Sequence, residues 1–224
     1  MTLGTVAAVA LHAGTARPGP ADWSALRFTL LQAGLSALLS TALAIPVARA
    51  LARRRFPGRA LLITLMGAPF LLPVIVAILG LLAIFGRSGT LNDILTALHL
   101  PPISPYGLHG VLLAHVFLNL PLATRMLLQG WQSIPSERFR LARSLALTPA
   151  ACFQHLEAPM LRATLPGAFL TIFTLCLASF ATALTLGGGP AATTVELAIY
   201  QALRFDFAPD RAATLALIQF ALTI

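Results

Sequence analysis

Residues 134–162 read IPSERFRLARSLALTPAACFQHLEAPMLR, and they carry charge on helical spacing between two strongly apolar segments. Ser136 followed by Glu137 predicts a helix start, because serine caps a helix N-terminus and an acidic side chain complements the helix dipole. Thr148–Pro149 predicts a second start, a hydroxyl cap followed by proline at the first helical position. The stretch therefore predicts two short helices, the first running to about Ala146, with a sharp turn between them.

Apolar side chains in the two predicted helices indicate a contact surface. Phe153, Leu156 and Met160 form a stripe in the second helix, and Phe139, Ala142 and Ala146 share a face of the first. Exposed apolar helix faces mark contact sites for other proteins. A pair of helices that carries this much charge is not expected to lie in the lipid. We therefore expect this stretch to bind a soluble partner. The alternative is a solvated loop that packs only against its own neighbours.

The composition is that of a membrane protein. Of 224 residues, 58% are hydrophobic and 10% are charged, whereas soluble domains carry about 25% charged residues. Every basic residue is arginine, which excludes a P-loop and Schiff-base chemistry, because both need lysine. The formal net charge of +8 could indicate nucleic acid. The arginines instead cluster at the ends of apolar segments, which favours a bilayer and no nucleic-acid partner.

Apolar segments of membrane-spanning length predict an all-α, polytopic transmembrane bundle that forms a single domain over residues 1–224. The second of them is expected to be broken at Pro69 and Pro73. Because residues 1–13 and the last apolar run are too short to cross a bilayer, we expect both ends to be truncated. The spans are predicted at 28–50, 60–85, 106–128 and 165–186, with an incomplete one at 211–224 and a polar loop at 130–163.

Arginine placement predicts the orientation of these spans. Ten of the fifteen basic residues lie within 49–59 and 125–162, around the turn after the first span and around the stretch 134–162. By the positive-inside rule, both regions face the cytoplasm. The alternation of the first four spans also puts them on the same side of the membrane.

The pattern I-P-x-E at 134–137, A-R-S-L-A-L-T-P at 142–149 and E-x-P-x-L-R at 157–162 resembles the cytoplasmic EAA loop of one family. That family is the inner-membrane permeases of binding-protein-dependent ABC importers, in which the loop couples the permease to a separate ATPase subunit. The resemblance implies a coupling role for these residues: Glu137, Arg140, Leu141, Ala142, Arg143, Ser144, Leu145, Ala146, Pro149, Phe153 and Pro159.

The chain departs from the family pattern at three positions of the loop. Arg140 stands where the family's opening triplet has glutamate, Leu141 where it has its first alanine, and Ala146 where it has glycine. Glycine there permits a tight turn. Ala146 must therefore either stay helical or adopt a positive φ at some cost in energy.

Three further blocks resemble the permeases for thiamine and thiamine phosphates within that family. Those permeases look like two fused halves, and this chain resembles the N-terminal half. The implied partners are an ABC ATPase subunit, a periplasmic substrate-binding protein, a second permease half and the lipid bilayer of the cell inner membrane, with no cofactor. The blocks are RRRFPGR (53–59), SPYGLHGVLLAHVFLNLP (104–121) and ASFATALTLGGGPAATTVELAIYQAL (178–203).

The resemblance implies a transport subunit rather than an enzyme, importing thiamine or its phosphates while a separate partner hydrolyses ATP. Polar groups inside spans are costly unless used, which makes His115, Asn119, Ser179 and Thr182 candidates for the substrate path. Hydrogen bonding to a neighbouring helix is the alternative use of each.

Other functional classes fit the sequence less well. A permease of the same class for iron(III), a polyamine or an oxyanion remains an alternative. An ion-coupled secondary transporter would need charged residues within its spans, and the predicted spans contain no Asp or Glu. A membrane enzyme is disfavoured because neither H-E-x-x-H nor G-x-S-x-G occurs. Cys152 and Cys176, the only cysteines, indicate neither a disulfide framework nor a metal site.

Overall fold

A computed structural model describes residues 18–189 and 192–223 and, before them, Val9 alone. Apart from Val9, the apolar segment at 1–13 lies outside the described residues, and so do Pro190 and Ala191 of the third quoted block. Within the described ranges the chain is helical and contains no strand. The helices are α1 (Pro20–Arg53), α2 (Arg59–Leu65), α3 (Ala68–Leu71), α4 (Val74–Phe85), α5 (Thr90–Ala97), α6 (Leu108–Gln132), α7 (Ser136–Ser144), α8 (Pro149–Cys152), α9 (Ala158–Leu177), α10 (Phe180–Leu186), α11 (Val195–Arg204) and α12 (Pro209–Thr223).

Within the described ranges, four helical stretches are long and apolar enough to cross a membrane. They confirm the predicted all-α transmembrane class, and α1 and α6 extend beyond the predicted spans 28–50 and 106–128 at one or both ends. The four stretches are Pro20–Arg53, Val74–Ala97, Leu108–Gln132 and Pro149–Leu177.

The segment predicted as a span at 60–85 is divided into α2, α3 and α4. The breaks fall at Met66–Gly67 and at Leu72–Pro73. Pro69 does not break a helix, because it lies in the first turn of α3, where a missing backbone N–H is tolerated. Pro73 occupies the cap position of α4, and Leu72 before it is extended, as the residue before a proline prefers to be.

The segment predicted as a span at 165–186 is also divided differently. Helix α9 begins at Ala158, so one continuous helix joins Pro159 and Arg162 of the loop predicted at 130–163 to the predicted span. The helix ends at Leu177, where the Ser179 hydroxyl donates to the carbonyl oxygen of Cys176 over 2.8 Å. This bond satisfies one of the carbonyls that a helix C-terminus leaves free, and α10 starts afresh at Phe180.

The chain divides into two compact units. The first comprises the described residues up to Leu35, the segment Pro73–Ala114 and the described residues from Thr174 onward. The second comprises Ser36–Leu72 and His115–Phe173, and it therefore contains the whole stretch 134–162.

Apolar clusters join helices among the described residues of the first unit. One joins α4, α6 and α10 through Ile78, Val111 and Leu186. A second joins α1, α11 and α12 through Ala25, Val195 and Leu215. Beside the second cluster Arg211 forms an ion pair with the buried Asp22 at 2.6 Å and another with Asp206 at 2.8 Å.

Two of the motif blocks meet in the first unit. The backbone N–H of Gly107 donates to the carbonyl oxygen of Leu186 over 2.8 Å, which joins the block 104–121 to the block 178–203. Gly188 has a φ of +73°, and a Cβ there would lie 2.8 Å from the Cβ of Tyr106. Glycine is required at 188 for two reasons: other residues are strained at positive φ, and their Cβ would clash with Tyr106.

Candidate coupling loop and buried polar residues

The first loop helix, α7, begins one position earlier than serine capping requires. Pro135 occupies the cap position with φ −56° and ψ 136°, and Ser136 is the first helical residue. The prediction that Ser136 caps the helix is therefore wrong. Its hydroxyl instead donates to Glu137 Oε1 over 3.1 Å.

The turn after α7 is a Schellman motif. Leu147 N–H donates to the Ala142 carbonyl and Ala146 N–H to the Arg143 carbonyl, each over 3.0 Å. Those two bonds define the motif, whose central residue is left-handed and usually glycine. Ala146 holds that position with a φ of +50°. A tight turn of the kind that glycine permits is thus formed by alanine, at a cost of about 1–2 kcal/mol in backbone strain.

The second loop helix starts as Thr148–Pro149 predicts. Thr148 Oγ1 accepts a hydrogen bond from the Ala151 backbone N–H over 3.2 Å, with Pro149 in the first turn. After Cys152 the chain widens into one π-helical turn, Phe153–Glu157, before α9. In a regular α-helix the ring of Pro159 would clash with the carbonyl of His155, four residues earlier. His155 lies in the wider π turn, and we attribute the uninterrupted passage into α9 to this widening.

The inner side of the loop contacts the last turns of α1. Ala142 is buried, and the Arg53 guanidinium lies over the Phe139 ring, with 4.6 Å between Cζ and the ring centroid. Arg49 lies over the Phe153 ring in the same way at 5.4 Å. Phe139 and Phe153, two of the side chains predicted to contact a partner, therefore contact arginines of this chain's own α1, although Phe153 stays exposed.

Glu157 is a functional candidate that the sequence reasoning left without a role. Its side chain is 0% exposed, and its two carboxylate oxygens form ion pairs with Arg49 Nε and Arg53 Nη2, each at 2.6 Å. Arg49 and Arg53 are one helical turn apart at the end of α1. That i, i+4 spacing, together with an acid in an otherwise apolar helix start, is the only signal in the sequence for this cluster.

The outer side of the loop carries apolar side chains with no cover among the described residues. Leu141, Leu145 and Leu147 are exposed, and Leu145 retains 63% of its surface. By contrast Leu156 and Met160 of the predicted stripe are only partly exposed. Phe153 also keeps 37% of its surface exposed, beside Arg49. The three exposed leucines, Leu141, Leu145 and Leu147, are called the leucine face.

Charged groups surround the leucine face. Arg140 Nη2 forms an ion pair with Glu137 Oε1 at 2.8 Å, while Arg143 and Ser144 are exposed on the same helix. The pKa of Glu137 is held below its usual value by its own backbone N–H, by the Ser136 hydroxyl and by Arg140, against a small opposing effect of burial. Glu137 is therefore ionised at neutral pH.

A groove of about 440 Å³ lies beside the contacts between the loop and α1, lined by the loop and by Arg53 at the end of α1. Its walls combine arginine with apolar side chains, and Cys152 Sγ lies 3.5 Å from Arg53 Nη2 at its base. The lining residues are Arg53, Phe139, Ala142, Arg143, Leu147, Pro149 and Cys152.

Two of the substrate-path candidates lie in the second unit. His115 is buried in α6, and its Nδ1 is 2.9 Å from the Ser36 hydroxyl oxygen. Its Nε2 has no hydrogen-bond partner in the part of the chain that the structure describes. Asn119 is buried one turn further along α6. These two candidates therefore share a face of one helix.

The other two candidates lie in the first unit. Ser179 stands at the break between α9 and α10, with its hydroxyl committed to the Cys176 carbonyl. Thr182 is buried in the first turn of α10. Among the described residues no group of three or more His, Cys, Asp and Glu side chains is placed to hold a metal ion.

Comparison with known proteins identifies relatives of the chain, although no family model matches it. It is 54% identical over 198 residues to the thiamine transport system permease protein ThiP of Escherichia coli K12, covering 88% of this chain and 37% of that protein. The corresponding protein of Brucella abortus is 49% identical over 90% of this chain and 38% of its own length. That of Haemophilus influenzae is 42% identical over 86% and 36%. The chain thus spans a little over a third of the relatives it matches.

Solved structures match the fold at low sequence identity. A bacterial ABC transporter involved in the import of the acidic polysaccharide alginate matches with a TM-score of 0.75 and 16% identity, over 92% of this chain and 76% of that one. A bacterial alginate ABC transporter in complex with a pentasaccharide-bound periplasmic protein gives 0.78, over 92% and 75%. Over about nine-tenths of its length the chain is similar in sequence to thiamine transport system permeases, and its fold matches that of bacterial ABC transporters.

Proposed function

We propose that this chain is a transmembrane part of an ATP-driven importer that carries thiamine or its phosphates across the cell inner membrane. The observation that carries the proposal is the 54% identity to a thiamine transport permease, sustained over 88% of the chain. The chain would supply the membrane path and the coupling loop. A separate ATPase subunit would hydrolyse ATP, a periplasmic protein would deliver the substrate, and a second permease half would complete the path.

The loop supplies a docking surface suited to such a partner. The leucine face is exposed, rimmed by charged side chains and held on helices that are fixed from behind by α1. An apolar core with a polar rim is the usual composition of a protein interface. We infer that Leu141, Leu145 and Leu147 contact the ATPase, with Glu137, Arg140, Arg143 and Ser144 at the rim.

The transport path is proposed to use polar side chains within the helices. His115 and Asn119 share a face of α6, and His115 Nε2 is a buried donor or acceptor without a partner among the described residues. A buried polar atom without a hydrogen bond destabilises the fold, and a hydrogen bond to a substrate or to a water would offset that free energy. Ser179 and Thr182 remain candidates beside the break between α9 and α10.

The test is substrate uptake by the full-length permease reconstituted in liposomes with its ATPase and binding protein. We expect ATP-dependent accumulation of labelled thiamine that excess unlabelled thiamine suppresses. Iron(III), spermidine and sulfate, added as competitors in parallel, should leave the rate unchanged. Uptake of one of these three without thiamine uptake would assign the permease to that substrate instead.

A further inference from the structure

Packing alone does not explain the ion cluster formed by Arg49, Arg53 and Glu157. Glu157 is fully buried, and both of its oxygens face arginines that lie more than 100 positions earlier in the chain, Arg49 being 108 residues away. Replacing a buried ion pair with apolar side chains of similar volume is often neutral or stabilising in proteins. The stability of the fold therefore does not by itself require three charged groups at this place.

The cluster ties the end of α1 to every segment of the loop. Arg53 contacts Phe139 of α7, Cys152 of α8 and Glu157 of the π turn. Arg49 contacts Phe153 and Glu157 of the same turn. Guanidinium groups can pair with a carboxylate and stack on an aromatic ring at once, because their donors lie in the plane and their faces remain free. A displacement of the loop must therefore move the end of α1 or break these contacts.

We propose that Arg49, Arg53 and Glu157 form a joint that transmits movement of the loop to the first membrane helix. The proposal rests on the proposed function above, since the ATPase is the partner that would move the loop. Glu157 is a positioning residue in this scheme. With no exposed surface it cannot touch a docked partner, and it acts only through α1.

This arrangement separates docking from transmission. The leucines of the leucine face are exposed, whereas Glu157, the carboxylate of the joint, has no exposed side-chain surface. Loss of the joint should therefore uncouple ATP hydrolysis from transport while the ATPase stays bound. A role confined to folding would instead lower ATPase association and transport together.

The experiment uses the full-length permease in complex with its ATPase and binding protein. Glu157→Gln keeps the shape of the side chain and removes its charge. We expect ATPase co-purification equal to that of the unaltered complex, loss of the stimulation of hydrolysis by the loaded binding protein, and uptake reduced about tenfold or more. Arg53→Gln leaves Glu157 paired with Arg49 and should give a smaller loss of the same kind, which keeps the test available if Glu157→Gln is not recovered from membranes.

Arg54→Gln is the matched control, because Arg54 is the exposed neighbour of Arg53 and forms no ion pair among the described residues. It should leave uptake and stimulated hydrolysis unchanged. Arg53→Lys should restore part of what Arg53→Gln loses, since lysine keeps the charge but not the planar stacking surface. Unchanged coupling in Arg53→Gln, or a loss of uptake that parallels loss of ATPase association, would overturn the joint.

The two proposals fail in distinguishable ways. If the unaltered complex takes up no thiamine, the substrate assignment fails. The joint can then still be tested by measuring how far the binding protein, loaded with its own ligand, stimulates ATP hydrolysis by the complex. If thiamine uptake is normal in the unaltered complex and in both variants, the joint fails and the proposed function stands.

Discussion

The backbone N–H of Leu147 donates to the carbonyl oxygen of Ala142 over 3.0 Å, and this bond closes the turn between the two loop helices around Ala146. The turn places Leu145 and Leu147 on the exposed side and Ala142 on the buried side. It is the geometric origin of the leucine face, and an alanine holds it where the family has glycine.

Replacing Ala146 with glycine should stabilise the loop. The φ of +50° strains alanine but not glycine, and the gain is offset by the greater freedom of glycine in the unfolded chain. We expect a net gain of up to about 1 kcal/mol, seen as a higher melting temperature of the purified permease. The control is Ala150→Gly in α8, where glycine should destabilise by about 0.5–1 kcal/mol. A lower melting temperature for Ala146→Gly would contradict the strained turn.

Close packing of α6 on α9 in the second unit depends on Gly130. A Cβ at that position would lie 2.7 Å from Met160 Sδ and 3.0 Å from Thr164 Oγ1. Because a methionine side chain can move, Gly130→Ala should be tolerated, whereas Gly130→Leu should lower the melting temperature clearly. Met160→Ala in the Gly130→Leu background should recover part of the loss. No recovery would mean that the helix backbones, rather than Met160, limit the space.

The carboxylate of Glu196 in α11 should make stability depend on pH. Burial raises the pKa of Glu196 above its usual value, although a hydrogen bond from the Phe180 backbone N–H opposes the shift. A raised pKa means that the folded state holds the proton more tightly than the unfolded state. The penalty from this group is therefore present above the raised pKa and disappears as the pH falls towards the ordinary value of 4.5.

Glu196→Gln removes this titration and tests it. Melting temperatures measured from pH 4.5 to pH 8 should vary less in the variant than in the unaltered protein. The difference should lie at the neutral end of the range, where the buried carboxylate is ionised. Parallel profiles for the two proteins would show that Glu196 does not titrate differently on folding.

An acid on the leucine face should prevent docking of the ATPase. Leu145 is 63% exposed on the loop, and Leu98 is equally exposed at the end of α5, in a loop that arginine placement assigns to the opposite side of the membrane. Leu145→Asp should abolish co-purification of the ATPase, because it puts a charge into the apolar part of the interface. Leu98→Asp is the matched control and should retain it. Retention in both variants would remove the leucine face from the interface.

Local signals in the loop predicted part of its structure. Thr148–Pro149 gave the correct helix start, since the cap and the proline act within four residues. Ser136 failed as a cap because Pro135 occupies that position, a competition that single-residue preferences do not resolve. Single-residue preferences likewise do not predict the break at Ser179 within the apolar segment 165–186. There the Ser179 hydroxyl donates to the Cys176 carbonyl oxygen at the end of α9.

The orientation of the loop faces could not be read from periodicity. Helical spacing predicts a stripe of Phe153, Leu156 and Met160, but it does not say which side of the helix faces outward. Arg49 and Arg53 decide this by contacting Phe153, Phe139 and Glu157 from a distant segment. Glu157 was missed because its partners are separated from it by about 100 residues in sequence.

The most direct measurement of the central claim is the initial rate of labelled thiamine uptake into liposomes that contain the full-length permease, its ATPase and its binding protein. We expect uptake that requires ATP, is abolished by Leu145→Asp and is unaffected by Leu98→Asp. Equal uptake with and without ATP, or none in the presence of all three components, would contradict the assignment of this chain to an ATP-driven thiamine importer.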